Sequence, residues 1–515
     1  MKRLRPLLLA VLGLTAAAGT GYTWYQWHVK RLKEGERLVR EGRTKLLVVE
    51  LLGDDKEVLS ELVAEDLARA MESANRALVL NSRSAKAHEL RARVFQQKRE
   101  YESAIKEYTA AIALAPADAA SYTSRGYVKS LQGDHQGALA DHDKSIALDG
   151  KSTRAYVNRG FAHYKQRDLR AAEADFTNAL NIKPTDAQAL KNRGILYQEL
   201  GDVERSLADL NAYVELKPKD VDGYCRRGYL FVLNGDFTNA VADFTKQLEL
   251  GGPSCAALNM RGAAYVRLGE RDKAIEDFTQ SLRINPQDAY AYMARGATFA
   301  ERGELEDALT DLEKAITVKP ADGEAYKHRG SVRQQQGDFA SAVADYTKSL
   351  ELSASESYEV YANRGEAREK LGDLAGALED YAKAIELQPN SALLFYNRGT
   401  VFQHAGIFEQ AYADYTRAVE LDPNYAGAYY NRGTLLQERG ELSQAITDFT
   451  TAIALKPDYA EPHFNRGTVR ANLGEYDTAV ADIERAGQFD LKLADQVRST
   501  LAGIQKTRAA ARRKK

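Results

Sequence analysis

The dipeptide Arg-Gly recurs along most of this chain at a nearly constant interval. It stands at Arg125-Gly126 and returns every 34 residues as far as Arg329-Gly330. After one extra residue, the same step continues from Arg364-Gly365 to Arg466-Gly467, and Arg91-Ala92 holds the equivalent place at the start. A fixed period of this length indicates stacked supersecondary units rather than a single closed core. Twelve such units are framed over residues 85–493.

Other positions of the unit recur with the same step. The fourth residue is usually aromatic, the eighth is Gly, the twentieth is almost always Ala, the twenty-fourth is bulky and the thirty-second is often Pro. One unit shows all of them, at Tyr156, Gly160, Ala172, Phe176 and Pro184. Gly-Asp pairs near the fifteenth position predict a turn between two antiparallel helices, because Gly ends the first helix and the acid favours the start of the second.

This spacing resembles the tetratricopeptide repeat (TPR), in which an aromatic residue, Gly, Ala-x-x-x-Phe and Pro recur over 34 residues. The resemblance implies an all-α fold, a right-handed superhelical solenoid of about 12 helix-turn-helix repeats stabilised by stacking. The chain departs from the family at the seventh position, where the family usually has Leu and every unit here has Arg.

The seventh-position Arg has a counterpart in the pattern. Asp recurs at the twenty-third position from Asp141 to Asp482, with Glu107 in the first unit. In a hairpin that turns near the fifteenth residue these two positions lie opposite each other, which predicts a partly buried Arg–Asp ladder. The alternative is a cationic stripe that binds a ligand. Replacing Arg364 by Leu distinguishes them, since unchanged stability with lost ligand binding would favour the stripe.

The sixth position of the first helix predicts a binding surface. In TPR proteins the first helices line the inner, concave wall and this position points into the groove. A side-chain amide both donates and accepts, so a row of Asn can hold an extended peptide backbone irrespective of its sequence. An aromatic residue precedes the last three Asn residues and is suited to packing against ligand side chains. The predicted groove residues are Asn158, Asn192, Asn363, Asn397, Asn431, Asn465, Tyr396, Tyr430 and Phe464.

This row resembles the asparagine ladder in the TPR superhelix of O-linked N-acetylglucosamine transferases. No counterpart of the transferase's catalytic region occurs in these 515 residues, so the resemblance is confined to the recognition surface. The alternative is that each Asn only bonds to the neighbouring helix.

The N-terminal segment predicts a membrane anchor. Lys2, Arg3 and Arg5 precede the uncharged run 6–27, which is long enough to span a bilayer and ends in interfacial aromatic residues. We expect residues 1–28 to be an uncleaved signal anchor or transmembrane helix, with a cleaved signal peptide as the alternative. The basic start favours export of the repeats to the periplasmic side. The basic residues after the span favour a cytosol-facing arrangement on an organelle outer membrane, similar to that of TPR-type mitochondrial import receptors.

The remaining segments complete the predicted organisation. Residues 29–84 read as a degenerate N-terminal helical unit, and residues 494–515 as a capping helix followed by a basic tail. Cys225 and Cys255 occupy unmatched positions, which favours two free thiols.

Composition and motifs favour binding over catalysis. The formal net charge of −2 gives no indication of nucleic acid as a partner. The eight His residues are scattered singly and no phosphate loop or metal-ligand spacing occurs, so we expect no cofactor, no metal and no enzymatic activity. The sequence predicts a membrane-anchored protein–protein interaction scaffold that assembles envelope complexes. A cytosol-facing receptor for protein import or chaperones, or an accessory subunit of a separate enzyme, are the alternatives.

Overall fold

A computed structural model describes the backbone of residues 20–51, 60–353 and 356–513, and the side chains of residues 29–46, 64–353 and 356–509. Within these ranges the secondary structure consists of 27 α-helices and one short 3-10 helix. Most of the predicted anchor, residues 6–27, lies outside the described residues. None of the helices described is long and apolar enough to cross a bilayer.

The chain divides into two compact units, of which unit 1 ends at Gly252 and unit 2 begins at Pro253. Unit 1 contains α1 (Thr20–Leu51), α2 (Ser60–Leu80), α3 (Ala85–Gln97), α4 (Tyr101–Leu114), α5 (Ala119–Leu131), α6 (His135–Leu148), α7 (Thr153–Lys165), α8 (Leu169–Ile182), α9 (Ala187–Glu199), α10 (Val203–Leu216), α11 (Val221–Leu233) and α12 (Phe237–Gly251).

Unit 2 contains α13 (Cys255–Arg267), α14 (Arg271–Ile284), α15 (Ala289–Arg302), α16 (Leu305–Val318), α17 (Gly323–Gln335), α18 (Phe339–Leu352), α19 (Tyr358–Lys370), α20 (Leu374–Leu387), α21 (Ala392–His404), α22 (Phe408–Leu421), α23 (Ala426–Glu438), α24 (Leu442–Leu455), α25 (Ala460–Asn472), α26 (Tyr476–Phe489), the 3-10 turn Leu491–Leu493 and α27 (Ala494–Arg513). From α3 to α26 the helices pair as the first and second helices of twelve repeats.

The turn inside each repeat follows the local sequence. Gly201 and Gly372 end their helices with φ of 76° and 81°, a left-handed conformation that Gly adopts without a Cβ penalty. Arg99 and Arg167 hold the same place in two repeats and adopt φ of 61° and 65°. Where the following residue is Asp, it caps the second helix, as where the Asp202 carboxylate accepts from the backbone N–H of residue 205.

The core of each repeat is a side chain packed against the eighth residue, which is Gly in all repeats except the first. A Cβ added to Gly160 would lie 2.8 Å from the ring of Phe176, which is 1% exposed. The same ring clusters with Leu196 and Tyr197 of the next repeat. A single repeat therefore cannot enclose this ring, which explains why the hairpins stack.

Additional helices cover both ends of the repeat array. Leu38, Val39 and Leu46 of α1 are buried against the hairpin partner α2 and the first repeat. At the other end, Val497 and Ile504 of α27 are buried against the last repeat. Each terminal helix thereby removes an apolar repeat face from water.

Candidate functional site

The structure confirms the predicted Arg–Asp ladder and shows that it is bidentate. In one rung, Nε and Nη2 of Arg159 donate to the two carboxylate oxygens of Asp175 over 2.9 and 2.6 Å. The hydrogen bond to Asp175 raises the pKa of Arg159 above its usual value. The other rungs are Arg125–Asp141, Arg193–Asp209, Arg227–Asp243, Arg261–Asp277, Arg295–Asp311, Arg329–Asp345, Arg364–Asp380, Arg398–Asp414, Arg432–Asp448 and Arg466–Asp482, and Arg91 pairs with Glu107.

Most rungs also reach outside their own hairpin. The third guanidinium nitrogen, Nη1, donates to the twenty-fifth residue of the preceding repeat, as from Arg295 to the Thr279 hydroxyl over 2.8 Å. Arg159 reaches Asp143 in the same way over 2.7 Å. Sequence reasoning missed this contact between repeats, although the recurrent Thr at the twenty-fifth position was its signal.

The ladder leaves little of each guanidinium for an external ligand. Where the fourth residue is Tyr or Phe, the Arg side chain also lies over its ring, as Arg432 does at 5.4 Å from the Tyr429 centroid. The Asp partners are buried, with Asp380 2% exposed. This geometry supports the structural interpretation of the seventh-position Arg over the cationic stripe.

Unit 2 places four of the predicted Asn residues at equivalent points on α19, α21, α23 and α25. All four are half-buried. Nδ2 of Asn431 donates to the hydroxyls of Tyr396 and Tyr415, each over 3.3 Å, and Nδ2 of Asn465 donates to the Tyr430 hydroxyl over 3.3 Å. The side-chain nitrogen is thus held by tyrosines of the preceding repeat, while no described residue bonds to the side-chain oxygen of Asn431 or Asn465.

Asn363 and Asn397 also lie beside tyrosines of the preceding repeats. Their neighbours are Tyr346 and Tyr381, the twenty-fourth residues of those repeats. Burial raises the pKa of both tyrosines, and the nearby Asn side chains oppose that shift. We call Asn363, Asn397, Asn431 and Asn465, together with Tyr396 and Tyr430, the asparagine face.

The two tyrosines of the asparagine face are already partly covered. The ring of Tyr396 packs edge-on against Tyr425 with 4.9 Å between centroids, and Tyr430 lies 5.2 Å from Tyr459. Both remain half-buried rather than enclosed. They position the neighbouring amides and leave part of each ring accessible.

Phe464 does not belong to a free surface, and its prediction as a groove residue is wrong. Its side chain is 8% exposed and clusters with Ile483, Val497 and Ile504. The sequence pattern placed it beside Asn465, at the position equivalent to Tyr396. The structure buries it because it lies in the last repeat, where α27 adds apolar side chains to that cluster.

Unit 1 does not repeat the arrangement of the asparagine face. Nδ2 of Asn158 is buried without a hydrogen-bond partner among the described residues. The twenty-fourth residue of the preceding repeat, which is Tyr before Asn363, is here His142. Asn192 accepts a hydrogen bond from Gln188 of its own helix over 2.8 Å. These two predicted groove residues therefore lack the Tyr partners found in unit 2.

Three threonines on the first helices of unit 2 were missed by sequence reasoning. They stand at the ninth position, three residues after the Asn, where the hydroxyl bonds to the backbone of its own helix. Their regular recurrence was visible in the sequence. The three residues are Thr400, Thr434 and Thr468.

Other candidate chemistry is sparse in the described part of the chain. No group of three or more His, Cys, Asp or Glu side chains there is arranged to hold a metal ion. Cys225 and Cys255 are free thiols, and burial raises the pKa of the Cys225 thiol.

Solved structures similar to this chain share low sequence identity with it. YrrB, described as a TPR protein with an unusual peptide-binding site, is 25% identical, with 36% of this chain and 96% of that chain covered and a TM-score of 0.33. Yeast Tom70 is 16% identical over 82% of this chain and 96% of its own, with a TM-score of 0.35. The Cut9–Hcn1 hetero-tetramer of APC/C is 15% identical over 88% and 98%, with a TM-score of 0.39.

Family models account for most of the chain. No curated protein sequence matches it at a significant level. Models described as tetratricopeptide repeat or TPR repeat match residues 56–119, 90–153, 157–221, 221–250, 259–325, 323–356, 365–406, 392–425, 414–447 and 435–474. With its paired helices and its 34-residue period, the chain belongs to the tetratricopeptide repeat family.

Proposed function

We propose that this protein is an interaction scaffold whose asparagine face binds an extended segment of another polypeptide. The observation that carries the proposal is the fixed orientation of the Asn amides. Tyrosine hydroxyls hold the nitrogens of Asn431 and Asn465, which leaves each carbonyl oxygen free to accept from a ligand's backbone N–H. Because the amides are held before binding, little side-chain entropy is lost on association.

The spacing of the repeats suits an extended ligand. Packed helices lie about 8–10 Å apart, and an extended chain advances about 3.3 Å per residue. Each repeat would therefore meet about three ligand residues, and the four Asn residues would span roughly ten. An unstructured ligand loses conformational entropy when it is ordered, so we expect modest affinity for one segment.

Site-specific crosslinking tests this proposal. A photoreactive amino acid at Leu393, which is 54% exposed on the same helix as Asn397, is compared with one at Glu379 on the second helix α20. We expect crosslinks from position 393 to fall within short segments of partner proteins, and to be lost in the Asn397→Ala/Asn431→Ala variant. Crosslinks that arise only from position 379 would refute the asparagine face as the site.

A matched pair of substitutions controls for nonspecific effects. Asn390 and Asn424 are exposed residues in turns between repeats of unit 2. The Asn390→Ala/Asn424→Ala variant removes the same number of amides without touching the asparagine face. We expect it to crosslink from position 393 as the unmodified protein does.

We also propose that residues 6–27 attach the scaffold to a membrane, with the repeats on the extracytoplasmic side. The support is the uncharged run after Lys2, Arg3 and Arg5 in the sequence. Carbonate extraction of membranes tests the attachment, and we expect the protein to stay in the pellet. Protease accessibility tests the orientation. Repeats that a protease digests only from the cytosolic side, after selective permeabilisation, would favour the opposite topology.

A further inference from the structure

Two amides of the asparagine face, and three threonines on the same helices, use their protons within the protein. The hydroxyls of Thr400, Thr434 and Thr468 donate to backbone carbonyls of their own helices over 3.0, 2.7 and 2.8 Å. The side-chain nitrogens of Asn431 and Asn465 donate to tyrosines. Hydroxyl and amide oxygens retain lone pairs when their protons are used in this way. Asn431, Asn465 and these threonines therefore still offer oxygen acceptors to a ligand.

Helix α19, which carries Asn363 of the asparagine face, also carries negative charge. Glu359, Glu366 and Glu369 are separated by seven and three residues, which places them on one helix face. Glu366 accepts from Nε2 of Gln334 over 3.0 Å, and Glu369 bonds Nδ1 of His404 over 2.9 Å, so both lie between adjacent first helices. None of the three carboxylates forms an ion pair with Lys or Arg within the described ranges.

The arginines of α19 do not neutralise these carboxylates. Arg364 and Arg368 both donate to the buried Asp380, which faces them from the second helix of the hairpin. Lys370, the last residue of the helix, is the remaining cation of α19. The three Glu residues and Lys370 together leave a net charge of about −2 on α19 once the Arg–Asp380 bonds are set aside.

We propose that the asparagine face and the carboxylates of α19 together select an extended segment rich in Lys or Arg. The inference rests on the proposed function and specifies the ligand's chemistry. Backbone N–H groups would meet the Asn oxygens, and long cationic side chains would reach the exposed Glu366 while their heads stay hydrated, with the charge of Glu369 one helical turn away. An acidic segment would bring its carboxylates close to Glu366 and Glu369, and the like charges would repel it.

Fluorescence anisotropy with two synthetic peptides tests the inference on the full-length protein. One labelled peptide repeats Ser-Lys-Gly-Lys and the other repeats Ser-Gln-Gly-Gln. Both have about 16 residues, which exceeds the roughly ten residues spanned by the four Asn. At ~50 mM salt we expect the Lys peptide to bind about tenfold more tightly, with the difference largely lost at ~500 mM salt.

Isosteric substitutions locate the effect. Glu366→Gln/Glu369→Gln keeps the acceptors for Gln334 and His404 and should weaken binding of the Lys peptide about tenfold, roughly threefold per carboxylate. The control Glu379→Gln/Glu484→Gln removes two exposed charges from second helices of unit 2, and should leave the Kd unchanged. Equal melting curves of both variants exclude misfolding as the cause.

The outcomes separate the two proposals. Equal Kd values for the Lys and Gln peptides, or equal losses in both variants, would overturn the charge selection while leaving the asparagine face as a peptide site. Failure of both peptides to bind would overturn the charge selection together with the proposed function. Self-association at low salt that Glu366→Gln/Glu369→Gln abolishes would identify a second copy's basic C-terminus as the occupant, and would overturn selection of a separate partner.

Discussion

Replacing Arg295 by Leu, the residue usual at this position in the family, isolates one rung of the Arg–Asp ladder. Arg295 donates from Nε and Nη2 to Asp311 over 2.6 and 2.9 Å, and from Nη1 to Thr279. Asp311 is 3% exposed, and no second cation bonds to it within the described residues. The variant therefore leaves a buried carboxylate without its counter-ion.

The expected loss of stability follows from the burial of Asp311. Removing one partner of a buried ion pair costs about 3–5 kcal/mol, because the remaining charge stays desolvated. Arg364→Leu is the internal comparison, since Nη1 of Arg368 still donates to Asp380 over 2.9 Å. One charge-assisted hydrogen bond contributes about 1.5–3 kcal/mol, so retaining it should make the loss in this variant smaller by roughly that amount.

Native-state hydrogen exchange is the appropriate assay, because repeat arrays open locally and a single unfolding free energy is not defined for them. We expect amides of α15 and α16 to exchange about two to four orders of magnitude faster in Arg295→Leu, since 1.4 kcal/mol corresponds to tenfold. In the double variant Arg295→Leu/Asp311→Leu, most of the protection should return. If the free energy of local opening falls by less than about 1 kcal/mol in the single variant, the argument that this pair is buried and coupled is refuted.

Three further predictions concern other parts of the chain. Arg99→Gly should stabilise its hairpin by about 0.5–1 kcal/mol, because Gly removes the strain of a φ of 61°; unchanged exchange of α3 and α4 would contradict this. Burial lowers the pKa of His142 to about 4, below its ordinary value, so the folded protein favours the neutral imidazole. Stability should therefore fall as the pH drops from about 6.5 towards 4, because the unfolded chain then binds a proton that the folded chain does not. His142→Phe should reduce the difference in stability between about pH 7.5 and pH 5, and an unchanged difference would contradict this. Phe464→Ala should cost about 3–5 kcal/mol and speed amide exchange throughout α27, whereas exchange confined to α25 would show that Phe464 does not hold the terminal helix.

The sequence predicted those features that depend on geometry within one hairpin. They are the 34-residue period, the Gly-Asp turns and the opposition of the seventh and twenty-third positions. The Arg159–Asp175 pair was predicted for this reason, and its bidentate form follows from the planarity of both groups.

Contacts between hairpins were decided by the tertiary structure. The bond from Arg295 to Thr279, the Asn431–Tyr396 hydrogen bond and the burial of Phe464 all depend on how one hairpin packs against the next or against a terminal helix. A repeated pattern assigns equal roles to equal positions, so it cannot distinguish an inner repeat from the last one. It also gave Asn158 the role of Asn431, although only the latter follows a repeat whose twenty-fourth residue is Tyr. The period thus determined the fold, whereas the neighbours of each repeat determined which of its polar groups remain free to bind.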